Sequence, residues 1–199
     1  MTSETLNPLD CALFIVAAFS LAGVCQALWL GSSIARTMAW PLDGGATWRG
    51  RRLLGDHKTM RGFVVMVPAA GAAFGVLGTV CARGGQGGQG GLDVWSLTTG
   101  GFVALGAWAG LGFMLGELPN SFLKRRLVIA PGEGATGAIT RPLFAIIDRL
   151  DSAAGLLLAL AVVVPVPWQT WLYVLGVGSI VHGLFSLLVF QLGGKTRAA

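Results

Sequence analysis

The sequence predicts an all-α integral membrane protein, a single domain over residues 1–199 with about five transmembrane helices. Three observations carry this. Only 12% of the residues are charged and 54% are hydrophobic, whereas soluble domains carry roughly 25% charged residues. The apolar residues run in long blocks rather than alternating, and a block of about 20 crosses a bilayer core as a helix. Thirteen of the fourteen Lys and Arg residues fall between alternate blocks, leaving Arg83 alone on the other side.

The blocks are residues 9–30, 63–82, 94–116, 152–166 and 168–192. Backbone polar groups in lipid need internal partners, so each block reads as a helix. The fourth is short and needs snorkelling ends. The first follows "MTSETLNPLD", which holds two acids and no Lys or Arg, and it reads as a span rather than a signal peptide. Six bases lie in the 31–62 loop, five in the 117–151 loop, and Lys195 and Arg197 in the tail. Basic loops stay in the cytoplasm, so the N-terminus is expected outside and the C-terminus inside, in the cell membrane.

The segment "ARGGQGGQGG" reads as a flexible connector. Gly71 with Gly75, Gly106 with Gly110, and Gly112 with Gly116 have the spacing that lets helices approach closely. Packing within the chain is the expected use, and a homodimer is the other. Cys11, Cys25 and Cys81 match no metal or redox spacing and read as small apolar residues. The net charge of +5 lies in loops beside spans. That favours anionic headgroups or phosphates and argues against nucleic acid.

The chemistry-bearing residues gather in the two basic loops. Acids are interleaved with the bases there: Asp43, Asp56, Glu117, Asp148 and Asp151. Acids contribute little to membrane orientation. Bases that hold phosphates, beside acids that hold a divalent cation, suit phosphoryl chemistry. Asp148 and Asp151, three apart, share one helix face at the entry to the fourth span. They read either as a cation pair or as a helix N-terminus favoured by the dipole. Glu117 reads as a functional acid or a solvated helix end. His182, inside the fifth block, reads as packing or part of a polar pocket.

Taken in order, "DGG…RGRRLLGDHKTMRGF", "GELPNSFLKRRL" and "PLFAIIDRLD" resemble the CDP-archaeol synthase family and, more distantly, phosphatidate cytidylyltransferases. The resemblance covers most of the chain. It implies a CTP-dependent enzyme: a lipid phosphate attacks the α-phosphorus of CTP, pyrophosphate leaves and a CDP-lipid forms. It also implies Mg²⁺ held by Asp148 and Asp151, and phosphate contacts from Lys124 and Arg125. Asp56, Lys58, Thr59 and Arg61 would help to build the nucleotide pocket, with Asp43 and Gly44 upstream of it. Arg52, Gly55 and Ser121 are counted to the same pocket. Glu117 stands where the family often has Asp, and Ser186 where Asn is expected.

Three rivals are set against this reading. A non-enzymatic protein could bind anionic lipids through its basic loops. A CDP-alcohol phosphotransferase needs an AR that "DGGATWRG" lacks. A transporter needs ionisable groups at mid-membrane, where only His182 is a candidate.

Overall fold

A computed structural model of the chain describes residues 6–85, 92–130, 137 and 139–191. Among these, five long helices form the body: α1 (Pro8–Gly31), α3 (Met60–Gly85), α4 (Thr99–Arg126), α5 (Thr140–Val163) and α6 (Trp168–Gln191). A short α2 (Ser33–Thr37) and a hairpin of β1 (Thr47–Trp48) and β2 (Arg51–Arg52) lie between α1 and α3. The first five residues, residues 86–91 in the expected connector, and Lys195 and Arg197 fall outside the described residues.

Three helical stretches, Pro8–Gly31, Met60–Arg83 and Thr99–Arg126, are long and apolar enough to cross a membrane by length and composition. With the helical content this makes an all-α membrane protein. The hairpin is its only described strand pairing. α5 and α6 have 24 residues each, about 36 Å at 1.5 Å per residue.

The expected blocks correspond to helices, but polarity and helix do not end together. The third block begins at residue 94, whereas α4 begins at Thr99 behind an N-cap in which the Thr98 side chain accepts from Gly101 N–H. Trp95 instead joins the core, with Val94 packed against it, while residues 96–98 are exposed. Trp95 is buried, and its Nε1 donates to Pro165 O at 2.8 Å. At the other end α4 continues through "GELPNSFLKRR", and α5 starts at Thr140. Most of the described part of the expected 117–151 loop is therefore helical. Asp148 and Asp151 sit more than two turns inside α5, which rules out the reading of the pair as a helix N-terminus.

The core is aromatic at its centre. Phe14 meets Phe74 edge to face at 5.0 Å, Trp95 at 6.1 Å and Phe102 at 5.5 Å. Around it the glycine pairs are used within the chain. Gly71 and Gly75 of α3 face Val103 of α4, and Gly106 and Gly110 of α4 face Ala70 and Met66 of α3. Gly112 and Gly116 face Gly155 of α5. Cys11 is buried, Cys81 half-buried and Cys25 exposed, all as free thiols.

The α4–α5 contact is backbone on backbone. A Cβ on Gly155 would stand 2.7 Å from Gly116 Cα, and one on Gly116 would stand 2.9 Å from Gly155 Cα. No side chain can yield there, so added volume has to part the helices. Gly155→Val is expected to lose about 2 kcal/mol or more of stability, the upper part of the overpacking range. Gly176→Ala on α6, with nothing within 4 Å of its Cβ, is expected to be neutral or slightly stabilising. Thermal unfolding of both variants in detergent checks the contrast.

Candidate active site

Below the glycine contact, the same seam turns polar. On α4, Glu117, Asn120, Ser121 and Lys124 follow at i, i+3, i+4 and i+7 and so share one face. On α5, Asp148, Asp151, Ser152 and Gly155 repeat that spacing. Asn120 Nδ2 donates to Asp148 Oδ1 at 2.6 Å and to Asp151 Oδ2 at 2.9 Å. Lys124 Nζ holds both oxygens of Asp148, at 2.5 and 2.6 Å, and lies 5.6 Å from the Phe144 ring centre. Lys58, from the loop before α3, pairs with Glu117. The Ser152 hydroxyl donates to the other Glu117 oxygen at 2.8 Å.

The cluster has a buried side and an open side. Asn120 and Ser152 are buried, whereas the Asp148 side chain is 42% exposed. Asp151 lies beside the expected 152–166 span. Burial first, then the charge of Glu117, pushes its carboxyl up to about 6, against the opposing pull of Asn120, Ser152 N–H and Lys58. Burial alone would lower Lys58, but Glu117 foremost, with Asp151 and Asp148, outweighs it and raises the ammonium.

The predicted residues separate into those that reach this cluster and those that build the wall beside it. Lys58, Lys124, Asp148 and Asp151 come together. Ser121 is buried at the same level, but its hydroxyl donates to Glu117 O within its own helix. Arg125 donates to Ile129 O, and its buried Nε has no partner among the described residues. Thr59 is buried where its backbone pairs with Pro41. The Arg61 carbonyl accepts from Trp29 Nε1 at 3.1 Å. Asp56 is 69% exposed and pairs with Arg52 at 2.7 Å. The His182 and Ser186 side chains fall outside the description.

Asp43 organises the wall. Its side chain is 1% exposed, and Arg52 approaches it at 2.5 Å. One carboxylate oxygen accepts from Leu54 and Gly55 N–H at 3.0 and 3.2 Å, and the other from Gly45 N–H at 3.1 Å. That last bond is an Asx turn, and its path needs positive φ at Gly44 (53°) and Gly45 (88°). Gly55, at φ 93°, turns the chain the same way on the far side. The glycines therefore serve the turns around Asp43. The hairpin turns at Arg49 and Gly50, both at positive φ, as the primed two-residue turn requires.

Arg126 docks this hairpin on α4. Its guanidinium donates to Trp48 O at 2.6 Å, Arg52 O at 2.7 Å and Arg51 O at 3.2 Å. It also lies over the stacked rings of Trp48 and Phe122. Of the run "KRR", only Lys124 joins the carboxylates. Sequence reasoning passed over Asn120 and Ser152, because neither residue is charged. Their spacing from Glu117 and Asp148 was the available signal.

Three carboxylates, Glu117, Asp148 and Asp151, with two ammonium groups at the polar end of apolar helices suit a membrane enzyme that handles anionic, phosphate-bearing substrates. Comparison with known proteins makes this specific: residues 14–197 match the family model described as CarS-like, CDP-archaeol synthase. The chain belongs to this family, whose enzymes are CTP-dependent lipid cytidylyltransferases. It is 33% identical over 160 residues to the CDP-archaeol synthase of Thermococcus gammatolerans, covering 78% of this chain and 80% of that one. It is 32% identical to that of Thermococcus kodakarensis with the same coverage. Identity to the Halobacterium salinarum enzyme is 36% over 127 residues, 63% of this chain and 61% of that one. No solved structure gives a significant match. Family membership sets aside the non-enzymatic lipid-binding rival.

The hydrogen bonds and guanidinium around Asp43 hold its carboxyl well below the usual carboxylate range, Arg52 first and the backbone N–H groups with it. A depressed acid stabilises the fold fully above its unfolded value, about 4, and the effect is lost as pH falls through the folded value. Between pH 5 and 8 the contribution of Asp43 to the wall is therefore expected to be constant. Asp43→Asn is expected to loosen the wall equally across that range. Limited proteolysis within residues 38–59 checks both expectations.

Proposed function

We propose that this chain condenses CTP with a membrane lipid phosphate, giving a CDP-lipid of the CDP-archaeol or CDP-diacylglycerol type and pyrophosphate. The observation that carries this is the convergence of Asp148 and Asp151 on Asn120, with Lys124 and Lys58 alongside, where the apolar helices end. In the proposed arrangement five helices span the cell membrane, the N-terminus is outside and the site faces the cytoplasm.

The donor set fits Mg²⁺. Among the described residues no group of three or more His, Cys, Asp or Glu is disposed to hold a metal. Mg²⁺ bound with substrate phosphates takes only one or two carboxylates, which Asp148 and Asp151 supply. When bound, the ion neutralises phosphate charge and draws the two anionic reactants together.

The other roles follow from charge and reach. Lys124 stands beside Asp148 at the open side and is placed to meet CTP phosphates. Lys58, raised and charged, faces the same space from the loop, and Arg125, next to Lys124 on α4, would add a phosphate contact. Asp43, Gly44, Arg52, Gly55, Asp56 and Thr59 shape the wall that carries Lys58, Arg61 starts the helix behind it, and Ser121 packs on α4 beside Glu117. A phosphate oxygen of the lipid attacks the α-phosphorus as the bond to pyrophosphate breaks. That oxygen is already ionised at neutral pH, so no side chain has to remove a proton. Catalysis rests on positioning and charge stabilisation. The lipid chains remain in the bilayer beside the spans.

A transfer assay with purified protein in detergent, labelled CTP, Mg²⁺ and a panel of diacyl and diether lipid phosphates tests this. A CDP-lipid should form only with Mg²⁺ and disappear with Asp148→Asn plus Asp151→Asn. Lys124→Met should slow transfer by about 10²-fold or more, the usual loss when one charge-stabilising donor is removed. Undiminished transfer in the double variant would contradict the assignment.

A further inference from the structure

We propose that Asn120 is a positioning residue that sets the spacing of the Asp148–Asp151 pair for a divalent cation. This rests on the reading that the pair holds the ion. One nitrogen, Nδ2, donates to an oxygen of each carboxylate, at 2.6 and 2.9 Å, so those two oxygens lie no more than about 5.5 Å apart. Ionised carboxylates at that distance repel. A neutral amide with two N–H groups can hold both without adding a charge that competes with a cation. A second Lys in its place would, with Lys124, offset both carboxylate charges, and an Asp would add to the repulsion.

The other end of the amide shows what fixes its orientation. Asn120 is only 8% exposed, and its Oδ1 is buried without a hydrogen-bond partner among the described residues. Leaving a buried acceptor unpaired costs about 1–3 kcal/mol. An Asn retained for packing alone would turn to satisfy both ends. Here the two carboxylates dictate the orientation, and the carbonyl is left unpaired. Asn120 also sits one turn beyond Gly116, which touches Gly155 backbone to backbone, so its distance to α5 is set by a contact that cannot relax. Outer-sphere partners of metal-binding side chains typically change metal affinity or activity by 10–100-fold when removed.

The test uses Mn²⁺ as the probe, titrated into full-length protein in detergent without nucleotide and followed by the electron paramagnetic resonance of the free ion. Wild type, Asn120→Ser, Asn120→Leu and the double variant Asp148→Asn, Asp151→Asn are compared. Ser keeps one donor and adds no bulk, so it answers if the Leu variant does not fold. Both Asn120 variants are expected to bind Mn²⁺ about 10-fold more weakly or worse. In the transfer assay the Mg²⁺ concentration for half-maximal rate should rise by a similar factor. The rate at saturating Mg²⁺ should stay within about threefold of wild type for Asn120→Ser. Wild-type Mn²⁺ affinity in folded Asn120→Ser, with binding abolished in the double Asp variant, overturns the inference alone. A rate loss that saturating Mg²⁺ does not restore also overturns it. Wild type that binds no Mn²⁺ and transfers at a rate independent of Mg²⁺ removes the cation reading and the inference together.

Discussion

The contact between Gly116 and Gly155 is the constraint on which the site depends. Two helices whose backbones touch have little freedom to slide or separate, and interiors packed this closely transmit displacement. One turn further along, Asn120 faces Asp151, and two turns further Lys124 faces Asp148. The spacing that places glycines at the apolar end of the seam places polar partners at its wet end. Close approach and the proposed site are consecutive stretches of one helix pair. The α3–α4 glycine contacts support the arrangement from the other face of α4.

The charged loop between α1 and α3 contributes differently. Three of its charges, Asp43, Arg52 and Asp56, pair with one another. Asp43 gathers Arg52 and three backbone N–H groups, and Arg126 reaches back from α4 to three hairpin carbonyls. The result is a stiff wall that presents Lys58 to the carboxylates. Charge density in the sequence therefore marks the wall more strongly than the site. In a chain with so few charged residues, holding one lysine in place engages several others.

Much of this was legible from the residues. The apolar blocks gave the long helices, and the Gly-x-x-x-Gly spacings gave tight packing within the chain. The family motifs carried the reaction and brought Lys58, Lys124, Asp148 and Asp151 forward together. Helix ends were not legible, because hydropathy reports where lipid stops and not where hydrogen bonding stops. α4 runs on through Pro119 to Arg126, and α5 begins at Thr140, well ahead of its apolar stretch. The role of Asp43 was hidden because its partners beside Arg52 are backbone N–H groups, which leave no trace in composition. Asn120 was hidden because a neutral side chain gains its meaning only when α5 is laid against α4.

The most direct measurement is an anomalous-scattering crystal structure of the protein with Mn²⁺ and CTP. The account predicts a single strong peak between α4 and α5, about 2.1 Å from one carboxylate oxygen of Asp148 and one of Asp151, with phosphate density beside Lys124. A peak in the 38–59 loop, at Asp43 or Asp56, with none between the helices, would contradict it.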